Sequence, residues 1–255
     1  MKGLIYITAI ILAFNFIENE AGKLRTVGDF KASHITQFPF EVSIRKRFCD
    51  ACAYEHYCSG TIYSNNVIIT AASCVRNATT VHNFQVIAGT SKRTTSAKDG
   101  QVYLVEKITE HKQNSIDIAL LHLTLDIKFN GVTIAPVKLA TEVPRVGKKA
   151  IVAGWGQLNE NEVNFEEDIK AVQVPIIDLS LCKETYFWTD VKDTEICAGY
   201  LNGGVDACQG DAGGPLLVDN EMVGIVSWGY GCARPNNPGV YTNVVALRNW
   251  IQQNA

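Results

Sequence analysis

The sequence is poor in proline, with 7 in 255 residues, and only 19% of it is charged. It contains no repeat, no low-complexity tract and little helical periodicity, and these absences exclude a disordered, collagen-like or coiled-coil chain. Basic charge is not in excess either: 23 Lys and Arg face 26 Asp and Glu, a net charge of −3. With no Arg/Lys stripe carrying interleaved aromatics, no nucleic-acid partner is expected. Beyond the N-terminus no apolar run approaches the ~20 residues a spanning helix needs, so no membrane partner is expected.

What is present begins with a leader. Lys2 precedes a mostly apolar stretch, residues 4–17, and Glu18, Asn19 and Glu20 then lead to Ala21 and Gly22. This pattern predicts a signal peptide over residues 1–21 and hence a secreted, extracellular protein. Removing residues 1–25 takes away three basic and two acidic side chains, which leaves a net charge of −4. Eight cysteines, an even number, fit disulfide bonding in an oxidising compartment. After Arg25 the chain reads as short β-type runs between turns, such as residues 40–44, 60–70, 84–88, 118–123, 150–154, 215–218 and 222–228. The spacing predicts an all-β barrel or sandwich. Only at the C-terminus do Val244, Leu247, Trp250 and Ile251 fall on one helical face.

Six segments carry a more specific signal. They are ITAASCV (69–75), DIALLHL (117–123), AGWGQL (153–158), DACQGDAGGP (206–215), IVSWGYGCA (225–233) and PGVYTNV (238–244). Together, in order and across residues 26–255, they resemble the trypsin/chymotrypsin family of serine proteases. The resemblance implies two packed six-stranded antiparallel β-barrels with a C-terminal α-helix and a cleft between the barrels. It also implies a short propeptide, residues 22–25, ahead of one domain over 26–255.

That family's chemistry needs a nucleophilic Ser, a His that takes its proton and an Asp that orients the imidazole. The family pattern places Ser73 at the His position, Asp117 at the Asp position and Ala212 at the Ser position. Ala212 has no side-chain oxygen, and a Ser73 hydroxyl titrates far above neutral pH. The triad is therefore degenerate, and the chain is expected not to be an enzyme. His56 matches a family His that packs behind the active site. With Ser43 and Asp211, it matches the set that holds zymogens inactive.

The binding apparatus is better kept. By resemblance, Asp206 sits at the bottom of the primary specificity pocket, Gly229 and Gly239 keep its walls open, and Tyr186 lies beneath it. A carboxylate there would pair with a Lys or Arg side chain. The backbone N–H groups of Gly210 and Ala212 match the oxyanion hole. Arg25 and Thr26 match the activation junction, whose new N-terminus would pair with Asp211; Thr26 and Asp29 depart from the family's Ile and Gly.

The resemblance pairs Cys58 with Cys74, Cys182 with Cys197 and Cys208 with Cys232. Cys49 and Cys52 are left over in a long loop. The pair is readable as a redox motif or, with His56, as half of a zinc site, but a local disulfide is the stronger expectation. No calcium or other metal and no cofactor is expected. Asn77 opens a glycosylation sequon. Two basic clusters, Arg45-Lys46-Arg47 and Lys92-Arg93 with Lys98, are expected to be solvated surface. The functional expectation is a secreted, proteolytically inactive homologue that acts by binding. It would be a monomeric cofactor, decoy or inhibitor whose protein partner is a protease, an inhibitor or another component of a proteolytic or immune cascade. The alternatives are a weakly active or unconventional serine hydrolase and a glycan- or surface-binding defence protein.

Overall fold

The computed structural model describes residues 31–255 except 77, 79 and 95–99. The expected signal peptide and propeptide, the expected junction at Arg25 and Thr26, the expected glycosylation site at Asn77, and Lys98 lie outside the described residues. Two barrels follow one another along the chain. The first closes through strands β2 (Glu41–Lys46), β3 (Glu55–Ile62), β4 (Val67–Thr70), β5 (Phe84–Ala88), β6 (Gln101–Glu110) and β7 (Ala119–Leu123), in the spatial order β2-β3-β4-β7-β6-β5.

The second uses β9 (Lys149–Gly154), β10 (Lys170–Ile177), β11 (Glu195–Ala198), β12 (Pro215–Val218), β13 (Glu221–Trp228) and β14 (Gly239–Asn243), and it closes because β9 pairs both β10 and β12. Two short strands flank it: β1 (Lys31–Ala32) pairs β10, and β8 (Lys138–Leu139) runs parallel to β13. The expected pair of six-stranded barrels is thus present.

The strands read as apolar runs because both of their faces are covered. All four residues of β4, Val67 to Thr70, are buried, as are all four of β12. A barrel interior filled by side chains needs no wet face, and each fully buried Ile, Leu or Val contributes roughly 1.5–3 kcal/mol of apolar transfer energy. One core cluster runs from Ile44, Ile68 and Leu120 of the first barrel through Trp155 to Ile225 and Ile251. It therefore glues the barrels together.

Two α-helices stand among the described residues. α2 (Val244–Asn254) starts at Asn243, whose side chain accepts the Ala246 N–H, and it buries Val244, Leu247 and Ile251. α1 (Leu179–Thr185) is a departure from the sequence expectation of a single C-terminal helix. Asp178 caps it by accepting from the Ser180 and Leu181 N–H groups, and its one buried residue is Cys182. Seven residues are too few for a periodic pattern to declare itself; the helix is held by its cap and by the Cys182–Cys197 bond.

All eight cysteines are paired: Cys49–Cys52, Cys58–Cys74, Cys182–Cys197 and Cys208–Cys232.

Candidate active site and specificity pocket

Loops from the two barrels meet at the cleft. The chain leaving β4 makes a short 3-10 turn, Ala72–Cys74, which the Cys58–Cys74 bond ties to β3. This turn presents Ser73 to Asp117, two residues ahead of β7. The Ser73 N–H donates to Asp117 Oδ1 at 2.6 Å and its hydroxyl donates to Oδ2 at 3.0 Å. A third donor comes from the second barrel. Ser227 is the extra residue of a bulge in β13, where Val226 pairs Tyr241 and Trp228 pairs Val240. The bulge aims the Ser227 hydroxyl at Asp117 Oδ2, 2.6 Å away. Hydroxyls and an amide thus hold the carboxylate where the family pattern expects an imidazole.

Ala212 lies in the loop that precedes β12. This loop packs tightly against the first barrel: the Ser59 N–H donates to the Ala212 carbonyl at 2.9 Å. Next to it Gly213 sits at φ +85°, and a Cβ there would meet Thr70 Oγ1 at 2.2 Å and the Ser59 carbonyl at 2.4 Å. Only glycine fits that approach. Ser73 and Asp117 are thus in direct contact, and the Ala212 carbonyl lies 3.6 Å from the Sγ of Cys74, next to Ser73; the Ala212 side chain has no oxygen.

A hydroxyl–imidazole pair stands behind this loop. Ser43 on β2 lies 2.8 Å from His56 Nδ1 on β3, and His56 Nε2 lies 3.0 Å from the Gly210 carbonyl. A carbonyl only accepts, so Nε2 carries the proton and Nδ1 accepts from Ser43. Both side chains are buried, and burial lowers the His56 pKa to about 4, which keeps the ring neutral. The third member expected of this set, Asp211, is not bonded to His56. Its Oδ1 accepts the Gly156 N–H at 2.8 Å and its Oδ2 the Cys208 N–H at 3.0 Å, while burial pushes its pKa up to about 6.

Sequence reasoning missed a neighbouring acid. Glu41 at the start of β2 is fully buried, and burial together with the Asp211 charge raises its pKa well above the carboxylate range. Its signal was a charged residue inside the apolar run 40–44.

Asp206 lines a cavity of about 220 Å³ together with residues 207–209, 226–229 and 239–241, among others. The Cys208–Cys232 bond ties two of its walls. Asp206 Oδ1 accepts the Ala207 N–H at 2.8 Å and the Tyr241 hydroxyl at 3.4 Å. Burial nevertheless pushes its pKa up to about 7.

The two wall glycines differ. A Cβ on Gly239 would meet Asp206 Oδ1 at 2.7 Å, whereas one on Gly229 would find nothing nearer than 3.6 Å. Tyr186 is fully buried, and its hydroxyl donates to the Pro238 carbonyl at 2.7 Å, fixing the strand that delivers Gly239. The rim carries a clasp invisible in the sequence, where 74 residues separate its partners. Arg234 Nε donates to both Glu160 carboxylate oxygens, at 2.9 and 3.0 Å, and the Cys232 N–H donates to Glu160 Oε2 at 3.3 Å.

The basic clusters adjoin, because the Arg45 guanidinium donates to the Arg93 carbonyl. They are interleaved with acids: Arg47 faces Asp50, Lys92 faces Asp168 and Arg93 faces Glu167.

The family model described as Trypsin matches residues 27–251. Trypsin eta of Drosophila melanogaster is 41% identical over 218 residues, 83% of this chain and 82% of that protein. Hypodermin-A of Hypoderma lineatum is 36% identical over 254 residues, 98% of this chain and 94% of its own length. Trypsin 5G1 of Aedes aegypti is 36% identical over 237 residues, covering 90% and 84%.

These relatives correct the expectation that the chain is not an enzyme. Two of the three are named trypsins, and the Ser43–His56 pair stands beside the loop that carries Ala212. A protease is therefore favoured over an inactive chain. Ser73 and Ala212 do not decide for the whole molecule, because catalysis of this kind also draws on the pocket and the backbone around it.

Proposed function

Because the chain belongs to the trypsin family of serine proteases, we propose that it acts on Lys- or Arg-bearing protein segments held in the Asp206 pocket, hydrolysing them slowly and working chiefly through the binding step. The observation that carries this is the buried Asp206 carboxylate that lines a cavity of about 220 Å³. A guanidinium or ammonium that enters the cavity exchanges water for a charge-assisted hydrogen bond in a site of low dielectric. The pocket also orients the following peptide bond toward the 210–212 backbone.

Hydrolysis is slow for a definite reason. Ala212 offers a methyl group where an acyl-enzyme would form, so the attacking oxygen comes from water or from another hydroxyl. In this family's chemistry, substrate binding and an oxyanion hole alone still accelerate hydrolysis about 10³–10⁴-fold over water. We assign the oxyanion role to the Gly210 and Ala212 N–H groups. A protein of this kind, secreted and disulfide-bonded, serves as a cofactor, decoy or inhibitor that holds a cascade component by its basic side chain. Activation after Arg25, with Thr26 entering toward Asp211, belongs to the same proposal.

The test is long incubation of purified protein with a fluorogenic Arg ester, alongside Asp206→Ala and Ser43→Ala. The expected result is hydrolysis above buffer that is lost in Asp206→Ala. Retention in Ser43→Ala assigns the attack to water, and loss there assigns it to the Ser43–His56 pair. Hydrolysis equal to buffer, under conditions where benzamidine still binds, overturns the catalytic part. Absence of benzamidine binding overturns the pocket.

A further inference from the structure

The Cys49–Cys52 disulfide differs from the other three in both place and surroundings. Cys58, Cys74, Cys182, Cys197, Cys208 and Cys232 are all buried, whereas Cys49 and Cys52 are exposed together with the two residues between them. It also closes the smallest loop, with a sequence separation of 3 against 15, 16 and 24. It therefore restrains the unfolded chain least. Nor is it needed to join β2 to β3, which pair from Glu41–Thr61 out to Lys46–Glu55, while the Cys52 N–H donates to the Cys49 carbonyl at 3.0 Å to close the turn. Stapling the fold does not account for this bond.

The loop carries charge of both signs, with Arg47 3.7 Å from the Asp50 carboxylate between the two cysteines. Arg47 donates to the Asp50 carbonyl, inside the loop, at 3.3 Å, and Lys46 lies one position further back. A bulge in β3 pairs Cys58 with Ile44 and His56 with Arg45, which turns Tyr57 outward. There it meets Phe48, 69% exposed, edge-on at 5.9 Å, with Lys46 Nζ 4.6 Å from the Tyr57 ring centre. An exposed disulfide next to a charged turn and the Phe48–Tyr57 aromatic pair offers a peptide thiol both access and a surface to rest on.

We propose that Cys49–Cys52 is a redox-active disulfide that oxidises dithiol segments of protein substrates. A substrate thiolate attacks one sulfur, forming a mixed disulfide and releasing the other cysteine as a thiolate that takes up a proton. The second substrate thiol loses its proton and attacks the mixed disulfide. The substrate leaves as a disulfide, oxidised by two electrons, and Cys49 and Cys52 remain as two thiols. The protein's own disulfide is the oxidant, so each round is stoichiometric.

The experiment equilibrates the intact protein across ratios of reduced to oxidised dithiothreitol, alkylates it and maps each pair by mass spectrometry. Cys49–Cys52 is expected to open at a ratio at least 100-fold lower than the other three, which is about 59 mV at 29.6 mV per tenfold for a two-electron couple. In parallel, a fluorophore–quencher peptide bearing two thiols is mixed with the protein. Exchange is expected at least tenfold faster than with an isolated disulfide peptide spanning residues 48–53. Arg47→Glu slows it severalfold, and the Cys49→Ser/Cys52→Ser double variant abolishes it while keeping benzamidine binding. Opening of all four disulfides together overturns the proposal. So does a rate equal to that of the isolated peptide. Neither result bears on the Asp206 pocket, whose own failure would appear as lost benzamidine binding with exchange intact.

Discussion

Benzamidine binding should depend steeply on pH, because the free pocket holds Asp206 near neutrality. With a pKa of about 7 in the empty pocket, the fraction ionised is about 1% at pH 5 and about 90% at pH 8. An amidinium gains its full partner only in the ionised form. The apparent Kd should therefore tighten roughly 90-fold between these pH values, close to 2.7 kcal/mol at 1.36 kcal/mol per tenfold. Contacts with the apolar part of the pocket persist at low pH and reduce this upper figure.

The folded-state pKa lies above the unfolded value, so Asp206 stabilises the empty protein most below about pH 4. That contribution is lost as pH rises through 7. Bound benzamidine should cancel the loss. Titration calorimetry at pH 5, 6, 7 and 8, in buffers of different ionisation enthalpy, reads both the affinity and the protons released. Close to one proton should leave per benzamidine at pH 5 and about half of one at pH 7. Asp206→Asn should bind weakly and flatten the profile. A flat profile with no proton release in the parent protein would refute the placement of Asp206 beneath the bound cation.

Three further outcomes follow from the same geometry. Gly239→Ala should weaken benzamidine binding at least tenfold by equilibrium titration, since its Cβ would stand 2.7 Å from Asp206 Oδ1, whereas Gly229→Ala should change it less than threefold. The Ser73→His/Ala212→Ser double variant, cleaved after Arg25, should hydrolyse an Arg ester at least 100-fold faster than the parent, and each single change should stay within about threefold, because base and nucleophile act as a unit. Glu41→Gln should raise the melting temperature more at pH 8 than at pH 5, because the raised pKa of the buried Glu41 makes its contribution fall as pH climbs. An equal shift at both pH values would show that Glu41 has the same pKa folded and unfolded, and would refute the raised value.

The sequence by itself determined the barrels, the disulfides and the identity of the residues at the cleft. Apolar runs such as 67–70 name barrel strands because a strand covered on both faces has no polar side to display. The family's cysteine pattern named three of the four disulfides, and for Cys49 and Cys52, three positions apart, a local disulfide was the stronger of several readings. Ser73 and Ala212 were equally legible, since side-chain chemistry is a property of the residue.

What those residues do to one another was decided only by the tertiary structure. The bulge that swings Ser227 onto Asp117, the turn of His56 toward the Gly210 carbonyl rather than Asp211, and the Glu160–Arg234 clasp all join positions 74 to 154 residues apart. No local pattern encodes such pairs. The same holds for charge. In the sequence Asp206, Asp211 and Glu41 are ordinary acids, but the barrels that enclose them withdraw water, and burial raises all three pKa values. Residue types set which groups exist, and packing sets which of them are ionised and whom they face.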